Sequence, residues 1–259
     1  MPELPEVEFA VRRLRTWLAG RVITTLRALH RAQRRTLGVS AARRVAGRSV
    51  TDVSRRGKHQ FIHLDDGTTL HVHFRMNGDW EATLPGASLP RHARCSLELD
   101  TGMRIVLTDP RALATITLVR NPAHLPVLGP EADDPALNAA VLGAALMRRR
   151  GAIKPVLLDQ RVLAGIGNIY AAEGLWHARI SPRATAASLS APRRAALLAG
   201  VRKALARGMA AGGRYSGATS HAFRVYDREG APCTRCRTAI RRITQAGRST
   251  YFCPHCQSR

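Results

Sequence analysis

The sequence has little acid and almost no lysine. Against 41 Lys+Arg it sets 18 Asp+Glu, a formal net charge of +23 over 259 residues. Like charge at that density strains a compact chain unless a polyanion relieves it. Nucleic acid is the partner this imbalance points to, held largely by counterion release. A solvated surface whose positions have drifted to arginine is the plainer alternative. Lysine occurs only at Lys58, Lys154 and Lys203. Arginine is the bidentate phosphate clamp and lysine a compact point charge, so each retained lysine marks a candidate site for an ammonium group. Also missing is any run of the ~20 apolar residues that a membrane-spanning helix needs. No basic stretch followed by an apolar core suggests a secretory signal. The five cysteines form two close pairs and a single, Cys95, which does not suit a disulfide framework. The expectation is a cytoplasmic, nucleoid-associated monomer with no membrane partner.

What is present divides along the chain. Hydrophobic residues make up 45%, enough for a core in one large domain or two modest ones. Over 4–18 (LPEVEFAVRRLRTWL) Val7, Ala10, Val11, Leu14, Trp17 and Leu18 recur at helical spacing, with arginine on the other face and Gly20 as a stop. From Val22 to Leu118 the pattern becomes short strand-like runs (VITTLRAL, SVTDVSRR, HQFIHL, TTLHVHF, ARCSLEL, MRIVLT, ATITLV) separated by the turn signals DDG, NGD and DTG. Residues 121–135, with four prolines and no periodicity, read as a linker. Helical sequence follows in PALNAAVLGAALMRRR, KPVLLDQRVL, IYAAEGLWHA and LSAPRRAALLAGVRKALARGMAAG. The reading is an α+β chain. Residues 1–120 form an antiparallel β-sandwich with an N-terminal helix, 136–228 a helical domain, and 229–259 a cysteine module. Two basic lobes of this kind suit a cleft that grips a duplex.

Cys233-x2-Cys236, then sixteen residues, then Cys253-x2-Cys256 is the spacing of four thiolates around one tetrahedral zinc. The intervening TAIRRITQAGRSTYF alternates like a hairpin with AGR at its turn. Many zinc ribbons only staple a small fold, but Arg241, Arg242 and Arg248 tilt this one toward DNA contact. His255, between the last two cysteines, reads as a bystander. In AGIGNIY (164–170) the glycines admit a phosphate close to the amides of the next helix, and Asn168 is suited to cap it. Helix–helix turns use glycine without binding anything. Lys154 precedes this turn in the same helical unit.

The amino end, MPELPEVE, is acidic and proline-rich in a basic chain. Loss of Met1 would leave Pro2 with a free secondary amine, a nucleophile toward a sugar C1′ that yields an iminium. The amine must be neutral to attack, and an α-amino pKa near ~8 allows this around neutral pH. Glu3 would stand beside it to move a proton, with Glu6 one turn on to hold the geometry. The alternative is a plain helix N-terminus, where proline and glutamate are favoured anyway.

Taken together, PELPEVE, RRGKH, DPRA, LGPE, IKPVLLDQ, GIGNIYAAE and the C-terminal CxxC…FCPHCQ resemble the bacterial formamidopyrimidine-DNA glycosylases of the Fpg/Nei family, in order and over nearly the whole chain. The resemblance implies a base-excision repair enzyme, a glycosylase and AP lyase acting on damaged duplex DNA, with one structural zinc and a helix-two-turn-helix region. It puts the catalytic roles on Pro2, Glu3 and Lys58. DNA contacts fall on His92, Arg111, Lys154, Asn168 and Arg248, with Glu173 in support. Such an enzyme must extrude its target nucleotide, and the residues that fill the gap fall on Met76, Arg111 and Leu113. Leucine stands at the last of these where the family usually has phenylalanine. The loop after Gly213 is short and lacks the family's threonine-rich turn. With both departures the resemblance carries oxidised pyrimidines, ring-opened purines or abasic sites as substrates, does not carry 8-oxoguanine, and fixes no order among the lesions. A relative that binds damaged DNA without excising bases is the alternative they leave open. His71 and His73 share a strand face, near Asp65 and Asp66, as part of the sheet rather than a metal site. Cys95 and the tryptophans Trp17, Trp80 and Trp176 read as packing.

Overall fold

The computed structural model describes residues 2–120, 126–212 and 223–258. The loop after Gly213, the fate of Met1 and the first part of the expected linker lie outside the described residues. Two compact units emerge, residues 1–2 with 7–126 and residues 3–6 with 127–259.

In the first unit the apolar spacing of residues 4–18 produces helix α1 (Leu4–Leu18). Pro5 lies in its first turn, where a missing N–H costs nothing, and Val7, Ala10, Val11, Leu14 and Leu18 are buried. Eight strands follow: β1 (Val22–Ala28), β2 (Arg48–Arg56), β3 (His59–Leu64), β4 (Thr69–His73), β5 (Asp79–Thr83), β6 (Ala93–Leu99), β7 (Arg104–Thr108) and β8 (Thr115–Val119). They pair antiparallel in the order β5-β7-β6-β1-β2-β3-β4-β8. Register shifts at Ile23/Thr25, Val50/Asp52 and Ala93/Cys95 bend the strands. Both halves of the order then deliver side chains to one core. Leu97, Ile105 and Leu107 come from one half, Ile62, Leu70 and Ile116 from the other, and α1 packs among them. This is the β-sandwich with its N-terminal helix.

Two details differ from the strand-like reading of residues 22–118. A fifth strand occurs at DWEAT, which shows no apolar alternation because Trp80 is its single buried side chain. Between β1 and β2 run two short helices, α2 (Arg31–Thr36) and α3 (Val39–Val45). Neither carries the usual start signal: His30 caps α2 by accepting from Ala32 N at 3.2 Å, and α3 has no side-chain cap.

The second unit contains α4 (Ala139–Met147), α5 (Ile153–Leu157), α6 (Asn168–His177), α7 (Ala191–Ala210) and a hairpin of β9 (Arg241–Gln245) and β10 (Arg248–Phe252). The helix expected through KPVLLDQRVL stops at Leu157. Local side chains compete for the backbone beyond it: Asp159 Oδ1 accepts from Arg161 N, and Gln160 bonds Leu158 O, Ile166 O and Gly165 N. Residues 127–135, expected as linker, are bonded down instead. Gly129 N donates to Gln160 O at 2.9 Å and Glu131 bridges to Ala164. Helices α6 and α7 approach so closely that a Cβ on Gly200 would lie 2.5 Å from Gly174 O. Among the described residues no helix is long and apolar enough to cross a membrane.

One polar cluster lies within the sandwich sheet. His59 pairs with His73 and Phe61 with His71 across β3 and β4. His59 Nδ1 and His71 Nε2 are 2.8 Å apart, and Phe61 stacks on His71 at 5.2 Å. Burial, reinforced by neighbouring cationic groups including Arg75, pushes His59 down to about 4 and His73 to about 3. An unfolded chain protonates these imidazoles near ~6.5, so on acidification it takes up protons before the folded state does. Stability is therefore complete above that pH and declines as pH falls toward 4, by up to about 1.4 kcal/mol per unit for each titrating histidine. Thermal melts between pH 7.5 and 4.5 should show Tm falling, and His59→Gln with His73→Gln should flatten the decline.

Candidate functional site

The acidic amino end is built into the turn between helices. Glu3 is 2% exposed. Its Oε2 accepts from Gly167 N at 2.7 Å and Tyr170 N at 3.2 Å, and its Oε1 from Ile169 N at 2.9 Å. These amides open α6, whose N-cap is Gly167 and has no side-chain cap of its own. A carboxylate there satisfies donors that the helix leaves unpaired and sits at the positive end of its dipole. The second glycine of AGIGN thus admits Glu3: a Cβ on Gly167 would stand 2.4 Å from Glu3 Cδ. Gly165, at φ +90°, would drive a Cβ to 2.6 Å from Leu4 Cδ1, and its carbonyl accepts from Leu4 N at 3.0 Å. Glu6 Oε2 accepts from Glu3 N at 2.8 Å, and its Oε1 from Tyr170 Oη at 3.0 Å. Tyr170 carries no local signal of this role, although it lies inside GIGNIY.

Asn168, expected to cap α6, is its first residue and does something else. Lys154 is fully buried, and its Nζ donates to Asn168 Oδ1, to Ser249 O at 3.0 Å and to Thr250 Oγ1 at 2.8 Å. Asn168 Nδ2 also donates to Ser249 O at 3.0 Å. An ammonium has three donors, so Lys154 is committed to tying α5 and α6 to the hairpin. Burial lowers its pKa to about 8; Arg248 adds to this and Glu3 opposes it. Arg248 itself is exposed at the hairpin tip, after a two-residue turn in which Ala246 and Gly247 both have positive φ. Glu173 is buried and accepts from Arg224, Val225 and Tyr226 N at 2.8–2.9 Å. Burial raises its pKa against the pull of those amides.

Beneath the hairpin the sulfur atoms of Cys233, Cys236, Cys253 and Cys256 all lie within 4.8 Å of one another. Four thiolates at ~2.3 Å from one zinc would be about 3.8 Å apart. The surroundings suit thiolates: Arg235 N and Trp176 Nε1 donate to Cys233 Sγ, and Cys256 N to Cys253 Sγ. His255 is exposed and outside the cluster. Trp176 stacks under Arg235 at 4.1 Å, so it packs as expected and also touches the metal ligand.

In the first unit the strand register gathers the remaining candidates. Arg56 pairs with His59, His59 with His73, and His73 with Thr115. Asp79 pairs with Thr108, and Thr108 with Ala93. Lys58 precedes β3, Met76 joins β4 to β5, His92 precedes β6, and Arg111 and Leu113 join β7 to β8. All five therefore sit at strand ends linked by register. Lys58 is 5% exposed, whereas Met76 and Leu113 are 38% and 42% exposed. The turn of Lys58 is braced by Arg55, which donates to Gly57 O and to Glu8 on α1. Burial would raise the Glu8 carboxyl, but its bonds to Arg55 and Arg12 hold it below the usual range. The loop of Arg111 and Leu113 is shaped by buried Asp109, a residue sequence reasoning overlooked. It accepts from the amides of Arg111, Leu113 and Ala114 at 2.7–3.0 Å. Trp80 is core, its Nε1 donating to Gln60 Oε1 at 2.9 Å.

Comparison with known proteins matches three families in order. The formamidopyrimidine-DNA glycosylase N-terminal domain matches residues 1–116 and its H2TH domain residues 128–220. The zinc finger found in FPG and IleRS matches residues 230–259. The formamidopyrimidine-DNA glycosylase of Paracoccus denitrificans is 40% identical over 99% of this chain and 100% of its own. That of Chloroflexus aggregans is 40% identical over 99% and 98%. Among solved structures, MutM in complex with carbocyclic 8-oxo-G containing DNA gives a TM-score of 0.92 at 29% identity over all of both chains. Lactococcus lactis Fpg bound non-covalently to AP-site DNA gives 0.91 at 29% identity, covering 99% of this chain and 100% of that one.

Two outcomes test this geometry. Gly167→Ala should push Glu3 off the α6 amides and cost about 1–3 kcal/mol, read by chemical denaturation. Elemental analysis should find one zinc per chain. Its removal by chelation, or Cys253→Ser, should shift tryptophan emission through Trp176.

Proposed function

The chain belongs to the formamidopyrimidine-DNA glycosylase family, and from that premise we propose that it excises damaged bases from duplex DNA and then cuts the strand through a Schiff base on Pro2. The observation that carries this reading is the locked carboxylate of Glu3. It ties the residue next to Pro2 to a helix terminus, so a reacting amine at Pro2 would hang from a rigid mount.

The steps are these. With Met1 removed, the lone pair of Pro2 N attacks C1′ of the extruded nucleotide, and the glycosidic bond breaks with its electrons leaving on the base. The C1′–O4′ bond then opens as O4′ takes a proton, and nitrogen is left in an iminium. The iminium acidifies C2′, and loss of that proton expels the 3′ phosphate; a second elimination expels the 5′ phosphate. Glu3 is the proton partner at O4′: Oε1 accepts from a single amide, and a carboxylate oxygen has a second lone pair. Glu6 holds the Glu3 amide. Lys58 and His92 contact phosphate near the lesion, and Arg111 and Arg248 hold the backbone. Lys154 acts through Asn168 and the hairpin rather than by touching DNA. Met76, Arg111 and Leu113 fill the vacated stack, where leucine wedges without an aromatic plane. The substrates that fit are ring-opened purines, oxidised pyrimidines and abasic sites, met in the cytoplasm at the nucleoid. Leucine at position 113, where the family usually has phenylalanine, is the feature that favours the second reading, binding without excision.

Borohydride reduction with an abasic duplex should trap a covalent complex at the amino end. Glu3→Gln should suppress base release by about 10²-fold or more while sparing elimination at a preformed abasic site. Duplex binding with no adduct, from protein whose mass proves a free Pro2, would establish the second reading instead.

A further inference from the structure

The middle of the sandwich sheet contains an edge. Strand β1 pairs with β2 only at Val22 and Ile23, whereas its pairing with β6 runs on to Ala28. Gly47 N closes onto Ile23 O, and the chain before β2 turns away into α3. Helix α3 therefore lies beside the stretch where β2 would have continued. Between them is a groove of about 520 Å³, lined by all of Thr24–Leu29 on one wall and by Leu37, Val39 and Ala42 among others on the opposite wall. Five consecutive residues of β1 and the one after it can all line a groove only if it faces the strand's edge, since side chains alternate between faces. At its far end Arg34 Nε donates to Ala28 O at 3.2 Å. Among the described residues no backbone bond from another element reaches the outer edge of Thr24–Arg27.

An open edge normally recruits a strand unless it is covered or charged. Here the charge is of one sign. Arg27, Arg34 and Arg43 line the groove, and the chain has no Asp or Glu between Glu8 and Asp52. Val39 is 71% exposed beside them. A second copy of this chain, at +23, is repelled. A DNA backbone would meet the arginines but has neither strand amides nor apolar side chains for the floor.

We propose that this groove binds an extended acidic peptide of a protein partner by strand addition. About four residues pair along ~13 Å of the β1 edge. Their apolar side chains pack on Leu37, Val39 and Ala42, and their carboxylates pair with Arg27, Arg34 and Arg43. None of its lining residues is one assigned to excision.

A fluorescein-labelled peptide of alternating glutamate and valine tests this with the full-length protein. Anisotropy should show saturable binding, weakened about tenfold or more by Ala42→Glu or Arg43→Glu, with Tm and abasic-site cleavage unchanged. Methylating alternate peptide amides, which leaves charge and protein untouched, should weaken binding comparably. Hydrogen exchange at Thr24–Arg27 should slow in the complex. Binding indifferent to N-methylation overturns strand addition. Loss of duplex affinity in Ala42→Glu, with peptide binding intact, shows that the groove holds DNA and overturns the proposal.

Discussion

A buried carboxylate must find donors, and Glu3 finds three on the first turn of α6. Much of the second unit is arranged around that requirement. Glycine is needed at position 167 because the carboxylate occupies the space of a side chain, and at 165 because Leu4 does. Tyr170 donates one amide to Glu3 and its hydroxyl to Glu6, so one helical turn reads two successive acids of the amino end. Its ring in turn lies where a Cβ on Gly208 would be, 2.0 Å from the hydroxyl. The acid that looked misplaced in a basic chain is therefore internal. It neutralises a helix terminus, while most of the described arginines are exposed.

The metal module depends on the same helix from its other side. Trp176 and Ala172 of α6 share a hydrophobic cluster with Cys233, Tyr251 and Cys253. Gln257 joins Cys253 N to Ile180 O. Lys154 completes the tie, since two of its three acceptors, Ser249 O and Thr250 Oγ1, belong to β10. A buried ammonium without acceptors is costly, so hairpin and helices gain or lose their order together.

The legible parts are those where one period or one spacing decides the outcome. Helix α1 follows from its apolar stripe, and the thiolate cluster from two CxxC pairs. Where a side chain takes over a backbone group, local reading fails. Asp159 and Gln160 end α5 early, and His30 starts α2 without a recognised signal. The AGIGN turn illustrates the limit: its need for close approach was readable, but the approaching group comes from the far end of the chain. Tyr170 and Asp109 went unnoticed for the same reason, because their partners are set by tertiary contacts. Lys154 stood out as a retained ammonium, yet nothing local indicates that all its hydrogens are engaged within the protein.

The scarcity of lysine has a practical side. Of the three, Lys58 and Lys154 are buried and only Lys203, on α7, is exposed. Amine-directed acylation of the folded protein should therefore mark one side chain and the amino end. A dye, tether or crosslinker placed by that chemistry gives a nearly site-specific attachment on a chain that needs no engineered cysteine.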